Sequence, residues 1–122
     1  MPASDLPLLV DAARKAGRVA TGYSGKTAQR WDKPGGLGPV TEADLAVNDL
    51  LYDMLRPARP AYGWLSEESE DTAVRLGHDR VFIIDPIDGT RSFTEGADTW
   101  AHAMAVAEFG QITAAVVYLP LR

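Results

Sequence analysis

Asp85 and Asp88 stand three residues apart, with only Pro86 and Ile87 between them, after the apolar run Val81-Phe82-Ile83-Ile84. Two carboxylates that close at the end of a buried strand are costly unless something positive sits between them. Neither Pro86 nor Ile87 supplies a charge. A hard divalent cation is the simplest answer, because Mg²⁺ prefers carboxylate and carbonyl oxygens. Pro86 stiffens the turn, so both Asp side chains and the Ile87 carbonyl can converge on one point. Gly89 and Thr90 then offer backbone N–H groups to an anion, and glycine permits close approach. The Thr90 hydroxyl adds a donor and an acceptor. A second acidic run, Glu67-Glu68-Ser69-Glu70-Asp71, lies upstream. The same residue types also make a good solvated turn. The apolar strand before them and the acidic run upstream weigh toward a functional site.

Composition limits what that site can serve. A chain of 122 residues is one domain at most by length, and 46% hydrophobic residues suffice for a core. A net charge of −5 argues against binding a nucleic-acid polymer, which needs a basic face. Bound cations would still let an acidic site attract a small phosphorylated metabolite, because they invert the local charge. With no cysteine, disulfides, thiolate chemistry and Cys-based zinc sites are excluded. No apolar run approaches the roughly 20 residues of a membrane span. The stretch Met1 to Asp11 lacks the basic-then-apolar pattern of a secretory signal, so the cytoplasm is the default expectation.

The elements that must position these residues follow from periodicity. Ser4 is a candidate N-cap, and Leu6, Leu9, Val10, Ala13, Ala16 and Ala20 recur at helical spacing, predicting a helix over 4–22. Residues 23–39 read as loop, Lys33-Pro34-Gly35-Gly36 especially. Thr41 opens a second helix with Asp44 in capping-box register. Its buried face is Ala43, Val47, Leu50, Leu51, Met54 and Leu55, and Pro57 and Pro60 stop it. Tyr62 to Leu65 is a short strand. Residues 81–84 are a strand buried on both faces, with Pro86 and Gly89 ending regular pairing. Trp100 to Phe109 and Ile112 to Leu119 form a hairpin turning at Gly110-Gln111. Ala101, Ala103, Ala105 and Ala107 line one face on which a helix can pack closely. The class is α+β, two N-terminal helices on one side of a mostly antiparallel sheet. On residue type alone, Asp44 is as much a cap as a functional group, Lys33 a solvated lysine, and Glu68 and Glu70 surface charge. His102 reads as packed or hydrogen-bonded, His78 as loop, and Trp31, Trp64 and Trp100 as core or rim.

Two familiar motifs fail. The Asp-x-Asp-Gly-Thr of haloacid-dehalogenase-type phosphatases would put its nucleophile at position 86, which is proline, and the alternating ligands of an EF-hand are absent. The spacing instead resembles the inositol monophosphatase-like superfamily. Asp85-Pro86-Ile87-Asp88-Gly89-Thr90-Arg91-Ser92-Phe93 is similar to its Asp-Pro-x-Asp-Gly-Thr-x-x-Phe signature. Trp64-Leu65-Ser66-Glu67-Glu68-Ser69 resembles its Glu-Glu motif, with Ser66 where many members have glycine, and Val40-Thr41-Glu42-Ala43-Asp44 resembles its Val-Thr-x-x-Asp segment. Lys33 matches the family's loop lysine in spacing, and the hairpin from Gly110 to Pro120 fits as well.

The resemblance implies the first half of a layered αβαβα fold and the hydrolysis of a small phosphomonoester, sensitive to lithium. Glu67, Asp85 and the Ile87 carbonyl would hold one Mg²⁺, and Asp85 would bridge to a second held by Asp88, in a complete site of two or three ions. Glu67 and Thr90, with Asp44 behind Thr90, would orient and activate a water for in-line attack on phosphorus. The amides of Gly89 and Thr90 would take phosphate oxygens, beside Asp88. Lys33 and Glu68 are possible further members. Family chains are about twice as long, their second half carrying another ligand of the second metal and the residues that choose substrate. Residues 1–122 then correspond to the N-terminal metal- and phosphate-binding part, implying a fragment, a truncated product or half of a split protein, completed by a C-terminal half or a homodimer partner. The segment Arg91 to Gly96 leans toward 3′(2′),5′-bisphosphate nucleotidases over inositol monophosphate or histidinol phosphate phosphatases. An inactive metal-binding or interaction domain is the alternative of another class.

Overall fold

A computed structural model describes residues 5–23, 25–33, 39–69 and 77–122. The predicted cap Ser4 and the acids Glu70 and Asp71 lie outside the described residues. Helix α1 (Asp5–Ala20) turns Leu9, Ala12, Ala13, Ala16 and Ala20 inward. Leu6 faces water, at 46% exposed, and the buried residue of that turn is Asp5. The small side chains let α1 lie close to helix α2 (Glu42–Ala58), and both helices pack on one face of a four-stranded sheet.

Thr41 caps α2 as its sequence predicts. Its hydroxyl accepts from the amides of Ala43 and Asp44, and the Asp44 carboxylate accepts from the Thr41 amide, closing the capping box. Pro57 does not stop the helix; it sits inside the last turn, and the Arg59 amide closes that end by donating to Leu55. The supposed loop before α2 contains a short antiparallel pair, β1 (Arg30–Asp32) and β2 (Pro39–Thr41), so Trp31 is exposed, neither core nor rim.

The main sheet runs β3 (Gly63–Ser66), β4 (Arg80–Asp88), β5 (Ala101–Glu108) and β6 (Gln111–Tyr118) in that spatial order. The last two pairings are antiparallel and β3 pairs parallel to β4, so the sheet is mixed but mostly antiparallel. Phe82, Ile84, Met104 and Val106 point to the helices, with Tyr62 and Trp64 ringed around Phe82. Ile83 is exposed on the opposite face, so β4 is covered on one side, not both. That open face also carries Leu65, Ala103, Ala105, Ala115 and Val117, lining a groove of ≈ 440 Å³. The predicted alanine row is real, but among the described residues no helix covers it; α1 and α2 took the other face, where the larger side chains of β5 lie. The hairpin turns at Phe109-Gly110, one residue earlier than expected, with both φ values positive (49° and 80°) as a tight two-residue turn requires.

Asp5, fully buried, joins the two helices to the sheet. It accepts from Arg59 Nε at 2.9 Å, just past the end of α2, and from the Tyr62 hydroxyl at 2.9 Å, just before β3. Burial, then the bond to Asp5, raises the Tyr62 pKa, so the phenol stays a donor. Asp5→Ala is expected to lower the unfolding free energy in urea by about 1–3 kcal/mol, the cost of orphaning such donors. An unchanged midpoint would show that Arg59 and Tyr62 are satisfied by water.

Candidate metal and phosphate site

Parallel pairing brings the two acidic motifs together. Ser66 of β3 is in register with Ile84 of β4, and the Glu67 amide donates to the Ile84 carbonyl at 3.2 Å. Glu67, the residue after β3, and Asp85 of β4 therefore stand side by side. Asp85 alternates with Phe82 and Ile84 and so turns to the open face, where it and Glu67 close one end of the groove.

Beyond Asp85 the ladder with β5 slips between Asp85 and Asp88, and β4 continues through Pro86 to Asp88. Regular pairing does break at Pro86 as expected, but it resumes at Asp88 beyond a bulge. The bulge is pinned from β5 by His102, whose Nδ1 lies 2.5 Å from the Pro86 carbonyl. Burial holds the His102 pKa below the usual histidine range, against the raising effect of that bond, so the ring is neutral and its Nδ1–H is the donor. The hydrogen-bonded histidine read from the sequence is what the fold contains. Gly89 then adopts φ +87°, a backbone conformation that favours glycine, and the short helix α3 (Thr90–Thr94) begins. The sequence reading missed α3, and at five residues it is too short to show a periodicity.

Thr90 is tied back to α2. Its hydroxyl donates to Asp44 Oδ1 at 2.9 Å, with the Ile87 carbonyl a longer alternative at 3.2 Å. Asp44 is wholly buried, and its other oxygen accepts from the Thr41 hydroxyl at 2.6 Å and the Thr41 amide at 2.9 Å. One carboxylate thus caps α2 and anchors the Asp85–Thr90 motif. Lys33, a solvated lysine on residue type alone and a possible site member by the resemblance, pairs with Glu68 at 2.8 Å. Burial works against the Lys33 charge, but the bond and attraction to Glu68 more than offset it and raise its pKa. Glu68 lies deeper, and burial raises its pKa despite Lys33. The pair is therefore unequal, with Lys33 holding a carboxylate that is costly to ionise.

Among the described acids, Asp85 is the most perturbed. Burial, then the charges of Glu67, Asp88 and Glu68, push its pKa up to about 7, and its Oδ1 is buried without a hydrogen-bond partner. Among the described residues no three acidic or histidine side chains already stand around one point as a closed ligand set. The donor set nevertheless fits a hard cation: all oxygens, mutually repelling, one of them orphaned. What sequence reasoning missed is the support of Glu67. Buried Asn48 on α2 bonds Ser66 and Ser69, which flank Glu67 and Glu68. The available signal was its place one turn after Asp44 on the apolar stripe.

The sequence matches the Inositol monophosphatase family over residues 2–122. The chain belongs to that family. An inositol-1-monophosphatase of Mesorhizobium japonicum is 36% identical over 94% of this chain and 43% of its own length. A 3′-phosphoadenosine 5′-phosphate phosphatase of Mycobacterium bovis is 46% identical over 75% of this chain and 36% of its own. Among solved structures, the extragenic suppressor protein suhB of Bartonella henselae superposes with a TM-score of 0.87 at 34% identity, covering 97% of this chain and 46% of that one. The chain spans less than half the length of these relatives, and the family's named phosphatases are longer proteins.

The Asp85 shift has a sign that can be checked. Its folded pKa lies above the ordinary value of 3.8, so its contribution to stability is present below about pH 4 and is lost as pH rises through about 7. Without divalent metal, Asp85→Asn is expected to melt above the wild type at about pH 8 and to lose that advantage toward about pH 4. His102 is common to both chains and cancels. A difference in melting temperature independent of pH would rule out burial and repulsion as its source.

Proposed function

We propose that this chain carries the metal- and phosphate-binding half of a Mg²⁺-dependent phosphatase of small phosphomonoesters. One observation carries the reading: Asp85 is a half-buried carboxylate with an unpartnered oxygen, set among Glu67 and Asp88, at the head of a motif whose threonine is bonded to Asp44. Glu67, Asp85 and the Ile87 carbonyl would hold one ion, and Asp85 and Asp88 a second. When bound, such ions supply positive charge to the phosphoryl group and lower the pKa of water.

The chain's own residues do the rest. Thr90 Oγ donates a hydrogen bond to Asp44 Oδ1, so it would take a proton from the attacking water as it passes its own to that carboxylate. Asp44, fixed by Thr41 through two further bonds, keeps that hydroxyl from rotating. Glu67, exposed beside Asp85, orients the same water from the other side. The first-turn amides after Gly89 lack helical partners and suit phosphate oxygens. For substrate, the segment Arg91 to Gly96 and the identity to the Mycobacterium bovis enzyme favour a 3′(2′),5′-bisphosphate nucleotide over an inositol phosphate. The open alanine face is where a completing half, or a partner in its place, would pack and supply the remaining ligand.

Two experiments test this. Calorimetry with Mn²⁺ should show binding to residues 1–122 that Asp85→Asn weakens about tenfold or more, as loss of a metal ligand does; equal affinity would remove Asp85 from the site. Residues 1–122 alone should turn over little, since one missing ligand costs several kcal/mol and about 1.4 kcal/mol is a tenfold rate loss. With a family C-terminal half supplied in cis or in trans, hydrolysis should appear, with kcat/KM higher for 3′-phosphoadenosine 5′-phosphate than for inositol monophosphate. Comparable turnover by the short chain would overturn the need for a second half, and the reverse substrate order would overturn the nucleotide assignment.

A further inference from the structure

Helix α2 faces the site with a line of side chains one turn apart: Asp44, Asn48 and Tyr52. Asp44 bonds Thr90 of the second motif. Asn48, 6% exposed, addresses the first motif with both ends of its amide. Its carbonyl accepts from the Ser66 hydroxyl at 2.6 Å, and its NH₂ donates to Ser69 Oγ at 3.0 Å. Ser66 Oγ in turn accepts from the Glu68 amide at 3.3 Å, and Ser69 Oγ from Trp64 Nε1 at 3.1 Å. Tyr52 meets the Trp64 ring edge-on at 5.1 Å between centroids. These bonds are mutually consistent: Ser66 spends its proton on Asn48 and its lone pair on Glu68, and Ser69 accepts twice.

The geometry points to Asn48 as a positioning residue that sets where Glu67 stands relative to Asp85 and Thr90. Glu67 itself is exposed, and among the described residues its carboxylate has no hydrogen bond, so its place is set by the backbone on either side. The parallel ladder fixes the near side, through the Glu67 amide on Ile84. On the far side, the turn 67–69 is tied through Ser66 and Ser69 to Asn48, and through Lys33 to Glu68. Because Asp44 and Asn48 share one rigid helix, the spacing between the Glu67 turn and the Thr90 hydroxyl is a helical repeat and does not depend on loop conformation. The serine at 66, where the superfamily resemblance noted glycine, gives Asn48 its acceptor contact and so belongs to the same device. A positioned carboxylate matters because Mg²⁺ demands near-ideal octahedral geometry.

This inference rests on the metal reading above, and the test separates the two. Asn48→Ala should weaken Mn²⁺ binding to residues 1–122 about fivefold or more, whereas Val47→Ala, a core truncation on the same helix, should lower the melting temperature and leave the affinity within about twofold. In an Glu67→Gln background, Asn48→Ala should add no further loss. Amide exchange should rise at Glu67 and Glu68 in Asn48→Ala but not at Phe93, whose amide donates to Gly89 in α3. Ser69→Ala, which removes one arm of the clamp, gives the same comparison should Asn48→Ala fail to fold. Equal Mn²⁺ loss in Val47→Ala, full additivity with Glu67→Gln, or unchanged exchange at Glu67 and Glu68 would each overturn the assignment. A wild-type chain that binds no Mn²⁺ would overturn the metal reading and this role with it, even if the exchange pattern shows that the clamp exists.

Discussion

The register of one short parallel pair governs the rest of the structure. A slip of β3 by a single residue against β4 would turn every side chain of β3 to the other face and carry Glu67 away from Asp85. Four residues of ladder are little to hold such a register, and neighbouring contacts reinforce it. Trp64 and Tyr62 grip Phe82 on the covered face, and Asp5 binds the Tyr62 hydroxyl where the chain enters β3. Stability and site geometry are thus the same contacts here. The packing that keeps the helices on the sheet also keeps the two acids adjacent.

A second constraint is electrostatic. Asp44 and Asp85 are both shielded carboxylates, yet their surroundings treat them in opposite ways. Asp44 receives three hydrogen bonds, two from Thr41 and one from Thr90, which is how a buried carboxylate is satisfied. Asp85 receives burial and like charges, and one of its oxygens is left bare. One acid is finished by the fold and the other is left in need. That contrast is physical grounds for giving them different work, the first holding a hydroxyl in place and the second, in the function proposed above, a cation.

Much of this was legible before any coordinates. The capping box, the second helix, the hairpin and the buried histidine follow from local rules that act within a few residues. The motif from Asp85 to Thr90 was visible for the same reason, since its spacing is its chemistry. The failures are non-local or short. Parallel pairing of β3 with β4 joins segments separated by the stretch 67–79, which no periodicity links. Five-residue α3 and the three-residue strands β1 and β2 fall below any pattern's length. Leu6 was counted inward and Asp5 was not, because a burial rule based on hydrophobicity cannot foresee a carboxylate met by Arg59 and Tyr62. Asn48 was passed over on the same grounds. Lys33 gave no sign of Glu68, since their contact spans the fold.

The uncovered sheet face bears directly on the acids. Asp85 points to that face, so whatever lies on Leu65, Ile83, Ala103 and Val117 also sets the dielectric around its carboxylate. In water its repulsion from Glu67 and Asp88 is screened. Under an apolar element the same charges would interact more strongly, and an ionised Asp85 without a cation would cost more. If the proposed divalent ion binds there, covering the face and binding the ion would be coupled free energies, each making the other more favourable, by the reciprocity that linkage requires. The alanines of β5 leave room for a close neighbour, and the carboxylates at the groove's end would make that neighbour's fit depend on the proposed ion.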